Sequence, residues 1–208
     1  MAVTDEPGWR LRVVPRSGND SGAPMEADAA DVADADLVRA CLEGSHAAFD
    51  VLVQRHQRQI YQLCYRFVGG HEDASDLAQD VFVRAYRGLR GYKGSAAFST
   101  WLYRIAVNVC LSRVGARGPN LVPLDRADRL GSREERPDAA LLREERAASV
   151  RRAIARLPDR QRATLILRVY HELPHEQIAA ILGSSVGSAK GNLFHALANL
   201  RKLLQKPS

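Results

Sequence analysis

The chain has 208 residues, and its 30 Lys and Arg against 24 Asp and Glu give a formal net charge of +6. Hydrophobic residues make up 46% and charged residues 26%, which is typical of globular proteins and excludes collagen-like and wholly disordered classes. No run of about 18 apolar residues is present, so no transmembrane helix or membrane insertion is predicted. The basic excess favours a polyanionic partner such as nucleic acid.

Three cysteines, Cys41, Cys64 and Cys110, are far apart in the sequence and odd in number. They form neither a disulfide framework nor a CxxC metal pair, which fits a reducing compartment. The first residues carry acids and a proline where a signal peptide has a basic and then an apolar run. We therefore expect a cytoplasmic protein without a metal or cofactor.

Charge is unevenly distributed along the chain. Residues 36–117 contain 11 Lys and Arg and 7 Asp and Glu, whereas residues 147–208 contain 10 and 3. Residues 1–35 contain 3 and 7 and have no apolar periodicity, so they are predicted to be a disordered N-terminal extension. Residues 118–140 hold three prolines and are predicted to be a linker. The sequence therefore predicts two domains, 36–117 and 141–204, that face a polyanion.

Apolar residues recur at helical spacing in four segments of the first domain. The segments are 37–42, 49–67, 74–85 and 98–109. Glycines that favour helix ends follow them: Gly44, Gly69, Gly88 and Gly115. The first domain is therefore predicted to be a four-helix unit.

The second domain also has four predicted helices. The first covers 141–157, and the second starts at an Asp159 cap and runs to about Tyr170. A proline opens the third, a glycine closes it and a serine caps the fourth: Pro174, Gly183 and Ser185. The fourth helix has an apolar stripe: Val186, Ala189, Leu193, Leu197, Leu200 and Leu204. No strand-like alternation is present, so the predicted fold class is all-α, with two small helical domains on a flexible linker.

Residues 178–186 indicate a helix-turn-helix. The small Ala179 allows two helices to cross closely, and Gly183 permits the sharp turn between them. The following helix would lie in the major groove and expose small, polar and basic residues: Gly187, Ser188, Lys190, Gly191, Asn192 and His195. An ordinary helical hairpin is the alternative. Six nearby arginines favour DNA, because phosphate contacts supply much of the affinity: Arg151, Arg152, Arg156, Arg160, Arg162 and Arg168.

A second pattern overlaps this region. His171, Glu172 and His175 match the HExxH signature of zinc peptidases, which requires both histidines on one helical face. Pro174 lies between the histidines and would break that helix. We interpret the match as accidental and predict neither a metal site nor catalytic residues.

Polar residues of the third predicted helix share the face opposite its apolar stripe. They are Asp76, Gln79, Asp80, Arg84 and Arg87. This face is interpreted as a docking surface. The alternative is a solvated face with an Asp80–Arg84 pair at i,i+4 spacing, which is common.

Aromatic and basic residues lie together in and after a glycine-rich loop at 88–98. Rings that stack on bases beside cations that meet phosphates are typical of single-stranded DNA sites. The aromatic candidates are Tyr92, Phe98 and Trp101, and the basic ones are Arg90, Lys93 and Arg104. The alternative is a role in the core, because Phe98 and Trp101 fit the apolar stripe of the following helix. Tyr92, in the loop, is the better candidate for exposure.

Three segments together resemble one family. DLAQDVFVRAY at 76–86 is similar to the core-binding helix of extracytoplasmic-function (ECF) sigma factors of the sigma-70 family, and FSTWLYRIAVN at 98–108 is similar to the helix that contacts the −10 element. LPDRQR at 157–162 and SVGSAK at 185–190 resemble the second domain of those factors. The match covers roughly residues 36–204. The family commonly has arginines where this chain has Asn192 and His195.

The resemblance implies a non-enzymatic factor that binds core RNA polymerase through the β′ clamp and the β flap and melts promoter DNA. An anti-sigma protein would hold it silent, as is typical of such stress-response regulators. Core polymerase is expected to contact Asp76, Gln79, Asp80 and Arg84. The −10 element is expected to contact Tyr92, Lys93, Phe98, Trp101, Arg104 and Asn108. The −35 element is expected to contact Arg160, Arg162, Ser188, Lys190, Asn192 and His195.

Two other functions remain open from the residues. A helix-turn-helix regulator would act through the second domain without core polymerase. A zinc peptidase would need His171 and His175 to hold a metal ion.

Overall fold

The computed structural model describes residues 33–117 and 137–205, and it gives no side-chain environment for 117 and 137–144. The predicted N-terminal extension up to residue 32 and most of the predicted linker lie outside the described residues.

Four α-helices form the first domain. They are α1 (Asp34–Leu42), α2 (His46–Val68), α3 (His71–Gly88) and α4 (Phe98–Arg117), with a short 3-10 turn at Leu89–Gly91. Each helix matches one predicted segment. Helix α1 begins two residues inside the predicted extension, and α4 continues past Gly115 to Arg117.

Helix α2 is the centre of this domain, because it packs against α1, α3 and α4. Ser45 caps its start by accepting a hydrogen bond from the Ala48 amide at 3.4 Å. Gly69 ends it in the left-handed conformation, with φ of 79°, where a Cβ would be strained. Leu52 and Leu63 are fully buried between the neighbouring helices. Burial of this apolar stripe is the main force that holds the four helices together.

A polar anchor fixes α1 to α2. The Asp34 carboxylate accepts a hydrogen bond from Arg55 and lies 2.8 Å from Nε2 of His56. His56 is buried and packs on the ring of Phe98 at the start of α4. One carboxylate at the first residue of α1 therefore connects the N-terminal helix to the interior of the domain.

The thiols of Cys64 and Cys110 meet between α2 and α4, with their Sγ atoms 3.7 Å apart. Both residues are fully buried, and neither forms a disulfide. The hydrogen bond to Cys64 and burial together raise the pKa of the Cys110 thiol well above its usual value. The two side chains therefore pack together where the helices cross, and the Cys110 thiol is neutral.

The second domain contains α5 (Pro137–Ala155), α6 (Asp159–Val169), α7 (His175–Leu182) and α8 (Val186–Gln205). Helix α5 begins at Pro137, inside the predicted linker, because proline is well suited to the first position of a helix. Asp159 does not cap α6 as predicted. Pro158 occupies the cap position, and Asp159 is the first helical residue, where its charge faces the positive helix end. Residues 33–117 and 137–205 contain no strand, which confirms the all-α class.

The predicted apolar stripe of α8 was partly wrong. Ala189 and Ala196 are fully buried, whereas Leu197 is 50% exposed and Leu204 is 43% exposed. A face that starts at Ala189 and follows the 3.6-residue period continues through 193, 196, 200 and 203. Leu197 and Leu204 each lie one position beyond that face, so they point toward solvent.

The two domains contact each other through α4 with α7 and α2 with α6. The Tyr103 hydroxyl lies 3.0 Å from Nδ1 of His171, and Arg104 donates to the backbone carbonyl of Ala180. Arg162 of α6 donates to the carbonyl of Phe67 on α2. The arrangement is closed, with polar groups of both domains paired across the junction.

This junction is expected to weaken in acid. Burial, with a smaller effect of the Arg66 charge, lowers the pKa of His171 to about 4, whereas an unfolded histidine titrates near 6.5. Between those values the unfolded chain binds the proton more readily, so stability falls as pH falls from 6.5 toward 4. The shift corresponds to no more than about 3 kcal/mol.

The measurement is thermal unfolding across pH 7 to 4.5 for the wild type and for His171→Phe, which retains a ring against Tyr103 but has no titrating nitrogen. The wild type should lose more stability than the variant over this range. Parallel pH profiles of the two proteins would contradict the assignment.

Candidate nucleic-acid interface

Helices α7 and α8 form the predicted helix-turn-helix. Gly183 closes α7 with φ of 58°, a left-handed conformation that favours glycine. The Ser185 hydroxyl caps α8 by accepting a hydrogen bond from the Ser188 amide at 3.1 Å. Ala179 and Ala189 are buried where the helices face each other, so small side chains permit the close crossing. The sequence signals for this turn therefore have the local roles that were predicted for them.

The first turns of α8 present a polar surface to solvent. Ser188, Lys190 and His195 are exposed, and Asn192 is half-buried. Arg160, at the start of α6, is exposed and lies near the C-terminal carbonyl of α7, at 3.5 Å from Leu182 O. By the 3.6-residue period, Ser188, Asn192 and His195 share one side of α8, whereas Lys190 lies on the opposite side.

Arg162 differs from the other predicted −35 residues. It is only 3% exposed and is held against Phe67 of the first domain. In the closed arrangement its guanidinium therefore cannot reach DNA.

An apolar surface on α8 was missed by the sequence analysis. Phe194 is 70% exposed, and Leu197 and Leu204 lie on the same side of the helix. Basic residues Arg201 and Lys202 are close in sequence. The signal was present in the spacing 194, 197 and 204, but Leu197 and Leu204 had been assigned to the core stripe.

The polar face of α3 is open to solvent. Asp76 and Gln79 are exposed, and the Asp80 carboxylate accepts hydrogen bonds from Nε of Arg84 at 3.0 and 3.1 Å. The hydrogen bond to Asp80 raises the pKa of Arg84. On the opposite side, Leu77 and other apolar residues are buried in the domain. The four predicted core-binding residues therefore share one accessible surface on a helix whose other face is fixed.

The predicted aromatic cluster before and at the start of α4 is a packed unit. Ring centroids of Tyr92, Phe98 and Trp101 lie 5.3 to 5.8 Å apart. Phe98 is only 3% exposed, so it supports the other two rings and cannot itself stack on a base in this arrangement. Tyr92 is half-buried, and its hydroxyl donates to the Ala96 carbonyl at 2.6 Å. Trp101 is also half-buried.

The polar candidates for the −10 element lie beside this cluster and along α4. Lys93, Arg104 and Asn108 are exposed. Arg104 is occupied by its hydrogen bond to Ala180 in α7. The closed arrangement thus places the helix-turn-helix against part of the predicted −10 surface.

The HExxH residues do not share a helix. His171 lies in a bend after α6, Glu172 has φ of 55°, and α7 begins at His175. His171 instead supports the domain junction through Tyr103, while its Nε2 atom and Nδ1 of His175 are buried without a hydrogen-bond partner. Within the described part of the chain, no group of three or more His, Cys, Asp or Glu could hold a metal ion. The geometry that a zinc peptidase of this type requires is therefore missing from this segment.

None of the helices in residues 33–117 and 137–205 combines the length and apolar character needed to cross a bilayer.

Comparison with known proteins identifies both domains. The family model described as Sigma-70 region 2 matches residues 52–118, and the model described as Sigma-70, region 4 matches residues 147–200. The first range covers most of α2 and all of α3 and α4. The second covers α6, α7, the C-terminal part of α5 from residue 147 and most of α8.

Curated relatives match along most of their length. The chain is 36% identical over 181 residues to RNA polymerase sigma-H factor of Pseudomonas aeruginosa, which covers 83% of this chain and 94% of that protein. It is 31% identical over 172 residues to ECF RNA polymerase sigma factor SigW of Bacillus subtilis, covering 78% and 92%.

A solved structure has the same fold. CnrH, determined in complex with the cytosolic domain of CnrY, superposes with a TM-score of 0.61 at 28% identity and covers 84% of this chain and 99% of that one. The two matched domains, their order and the full-length relatives agree, and the chain belongs to the ECF RNA polymerase sigma factors of the sigma-70 family.

Proposed function

We propose that this protein is an alternative sigma factor that binds core RNA polymerase and directs it to a set of promoters. The observation that carries the proposal is the presence, in one chain, of an exposed charged face on α3 and of a helix-turn-helix with an exposed polar recognition helix, in the domains that match sigma regions 2 and 4. A regulator that acts without polymerase would need only the helix-turn-helix and not the charged face of α3. The proposed activity takes place in the cytoplasm, where RNA polymerase works.

The α3 face is proposed to bind the β′ clamp. Asp76, Gln79 and the Asp80–Arg84 pair present both signs of charge on a rigid helix, which suits a docking surface that selects its partner electrostatically. The buried face of α3 is anchored on α2 and α4, so docking requires no rearrangement of the domain.

The first domain is proposed to melt and hold the −10 element. Lys93, Arg104 and Asn108 supply contacts to phosphates and bases, and the rings of Tyr92 and Trp101 offer partial faces for stacking. In this proposal Phe98 has a supporting role, because it lies beneath both rings.

The second domain is proposed to bind the −35 element. Helix α8 enters the major groove with Ser188, Lys190, Asn192 and His195, while Arg160 meets the phosphate backbone. The exposed apolar stripe of Phe194, Leu197 and Leu204 is proposed to meet the β flap, since it lies toward the other end of the same helix.

Promoter binding requires the closed arrangement to open. Elements centred at −10 and −35 are separated by about 25 base pairs, or roughly 85 Å of B-form DNA. Domains in direct contact through α4 and α7 cannot span that distance. Opening also releases Arg104 from Ala180 and Arg162 from Phe67, so both arginines become available to DNA.

An anti-sigma protein is proposed to control access to these surfaces. The neighbour CnrH was solved in complex with the cytosolic domain of CnrY. A protein that covers the α3 face or holds the two domains together would block polymerase binding in this chain.

Charge reversal on the α3 face tests polymerase docking. Asp80→Arg breaks the Asp80–Arg84 pair and places two like charges together without touching the buried face of α3. Because charge at an interface sets association and register, affinity for core polymerase should fall at least about tenfold with helicity retained. The measurement is equilibrium binding to purified core enzyme, with circular dichroism.

Asp36→Arg on α1 is the matched control, because Asp36 is also exposed and paired with an arginine on its own helix, Arg39. The control should bind core polymerase as the wild type does. Equal affinities for the wild type and the Asp80 variant would show that the docking surface is elsewhere.

Two substitutions on α8 separate affinity from sequence preference. Lys190→Ala removes a proposed phosphate contact and should weaken transcription from all cognate promoters alike, with a smaller salt dependence of promoter binding. Asn192→Ala removes a side chain that can pair with adenine, a contact that discriminates by roughly 1–3 kcal/mol, so the preferred −35 base should change.

Transcription from a library randomised at −35, at two salt concentrations, measures both effects. Core binding serves as the control and should be unchanged in both proteins. Unchanged base preferences in the Asn192 variant would mean that this residue does not select sequence.

A further inference from the structure

A cavity opens at the junction of α2, α5 and α6, and three arginines line it. Arg66 comes from α2 in the first domain, whereas Arg151 and Arg162 come from the second. The space within the cavity that water can reach is about 20 Å³, and the cavity is partly open to solvent. No Asp or Glu is among its lining residues, so three cations surround a space without a counter-charge.

Arg162 is the innermost of the three. Its side chain is 3% exposed, its Nη2 atom donates to the Phe67 carbonyl, and its guanidinium lies 5.4 Å from the centre of the Phe67 ring. The Nε–H is buried and has no hydrogen-bond partner. A buried cation that keeps an unpaired donor is strongly unfavourable unless an acceptor is supplied.

The two neighbouring arginines supply neither an acceptor for the Arg162 Nε–H nor a negative charge. Arg66 is exposed and stacks over the Tyr170 ring at 4.2 Å, and Arg151 is half-buried. Neither these two nor Arg162 forms a salt bridge with a carboxylate of the described residues. All three guanidinium groups therefore keep donors for a ligand.

The pKa values of Arg162 and of the nearby His171 are both lowered, as expected where positive charge is buried. Burial lowers the pKa of Arg162, and the Asp159 carboxylate only partly opposes this effect. The charge of Arg66 helps to lower the pKa of His171, which lies on the same junction. An anion in the cavity would act against both effects.

We propose that this cavity binds an oxyanion of the phosphate type, held by Nε of Arg162 and by the guanidinium groups of Arg66 and Arg151. Guanidinium groups are planar and present paired donors that match the spacing of phosphate oxygens. The anion supplies the missing acceptor for Arg162 and the missing counter-charge for all three arginines.

The site has a consequence for the arrangement of the domains. Its ligands come from both domains, so the complete site exists only when they are closed. A ligand that binds one state alone stabilises that state by mass action, and phosphate should therefore hold the protein closed. Phosphate binding at this site is proposed for the free protein, so a test of it is independent of promoter recognition.

The test is titration calorimetry of the full chain with inorganic phosphate against chloride at matched ionic strength. Arg151→Gln removes one ligand that is only half-buried, so the fold should be retained. Its phosphate dissociation constant should rise at least tenfold. Arg152→Gln is the matched control, because it removes the same charge from an exposed neighbour outside the cavity and should leave phosphate binding unchanged.

A second readout tests the coupling to closure. Small-angle X-ray scattering should give a smaller radius of gyration for the wild type in phosphate than in chloride, with no such difference for Arg151→Gln. Adenosine monophosphate forms a separate arm: tighter binding than inorganic phosphate identifies a nucleotide as the source of the group, and weaker binding identifies the free ion.

The same heat and scattering in phosphate and chloride would overturn the proposal. Equal weakening in the Arg151 and Arg152 variants would also overturn it, since binding would then reflect the general basic surface.

Discussion

The packing of α4 is the constraint on which the rest of the structure depends. Leu102 and Ala106 are fully buried in the first domain, and this face cannot move without opening the core. Tyr103 and Arg104, on another side of the helix, bind His171 and the carbonyl of Ala180 in the second domain. One helix therefore completes the core, carries much of the proposed −10 surface and contacts the helix-turn-helix.

Because α4 belongs to the core of the first domain and also contacts the second, it couples the two domains. The contacts of α4 within the first domain are apolar, whereas its contacts with the second domain include two hydrogen bonds that water or DNA can replace. Opening frees Arg104 from its hydrogen bond to Ala180 and uncovers Arg162, so both cations become available to DNA when the domains separate.

Local features of the fold were predictable from the sequence. Gly69 and Gly183 adopt the left-handed conformation that ends a helix, and Ser185 caps α8, because these roles depend on residues within one turn. Features set by contacts between distant segments were not predictable. Arg162 was assigned to DNA from its charge and from the family resemblance, but its burial depends on Phe67, which lies 95 residues away in the chain.

The face of α8 that packs on the core was also not predictable from the sequence pattern alone. The period of 3.6 residues allowed Leu197 to be placed on the apolar stripe, and only the packing of Ala196 against the other helices shows which of the two faces the core. Of the candidate site, the exposed positions on α3 and on the first turns of α8 were placed correctly from periodicity. Phe98 fits the apolar stripe of α4, where it is buried, but was also assigned to the −10 element, because the same pattern suits a core position and a base-stacking site.

This chain is proposed to give core RNA polymerase a promoter specificity of its own. The most direct measurement is in-vitro transcription of a genomic library by core polymerase with and without the purified protein. The account predicts transcripts that depend on the protein and start at a discrete set of sites with shared −35 and −10 sequences. Failure of the folded protein to bind core polymerase, or transcripts identical with and without it, would contradict the account.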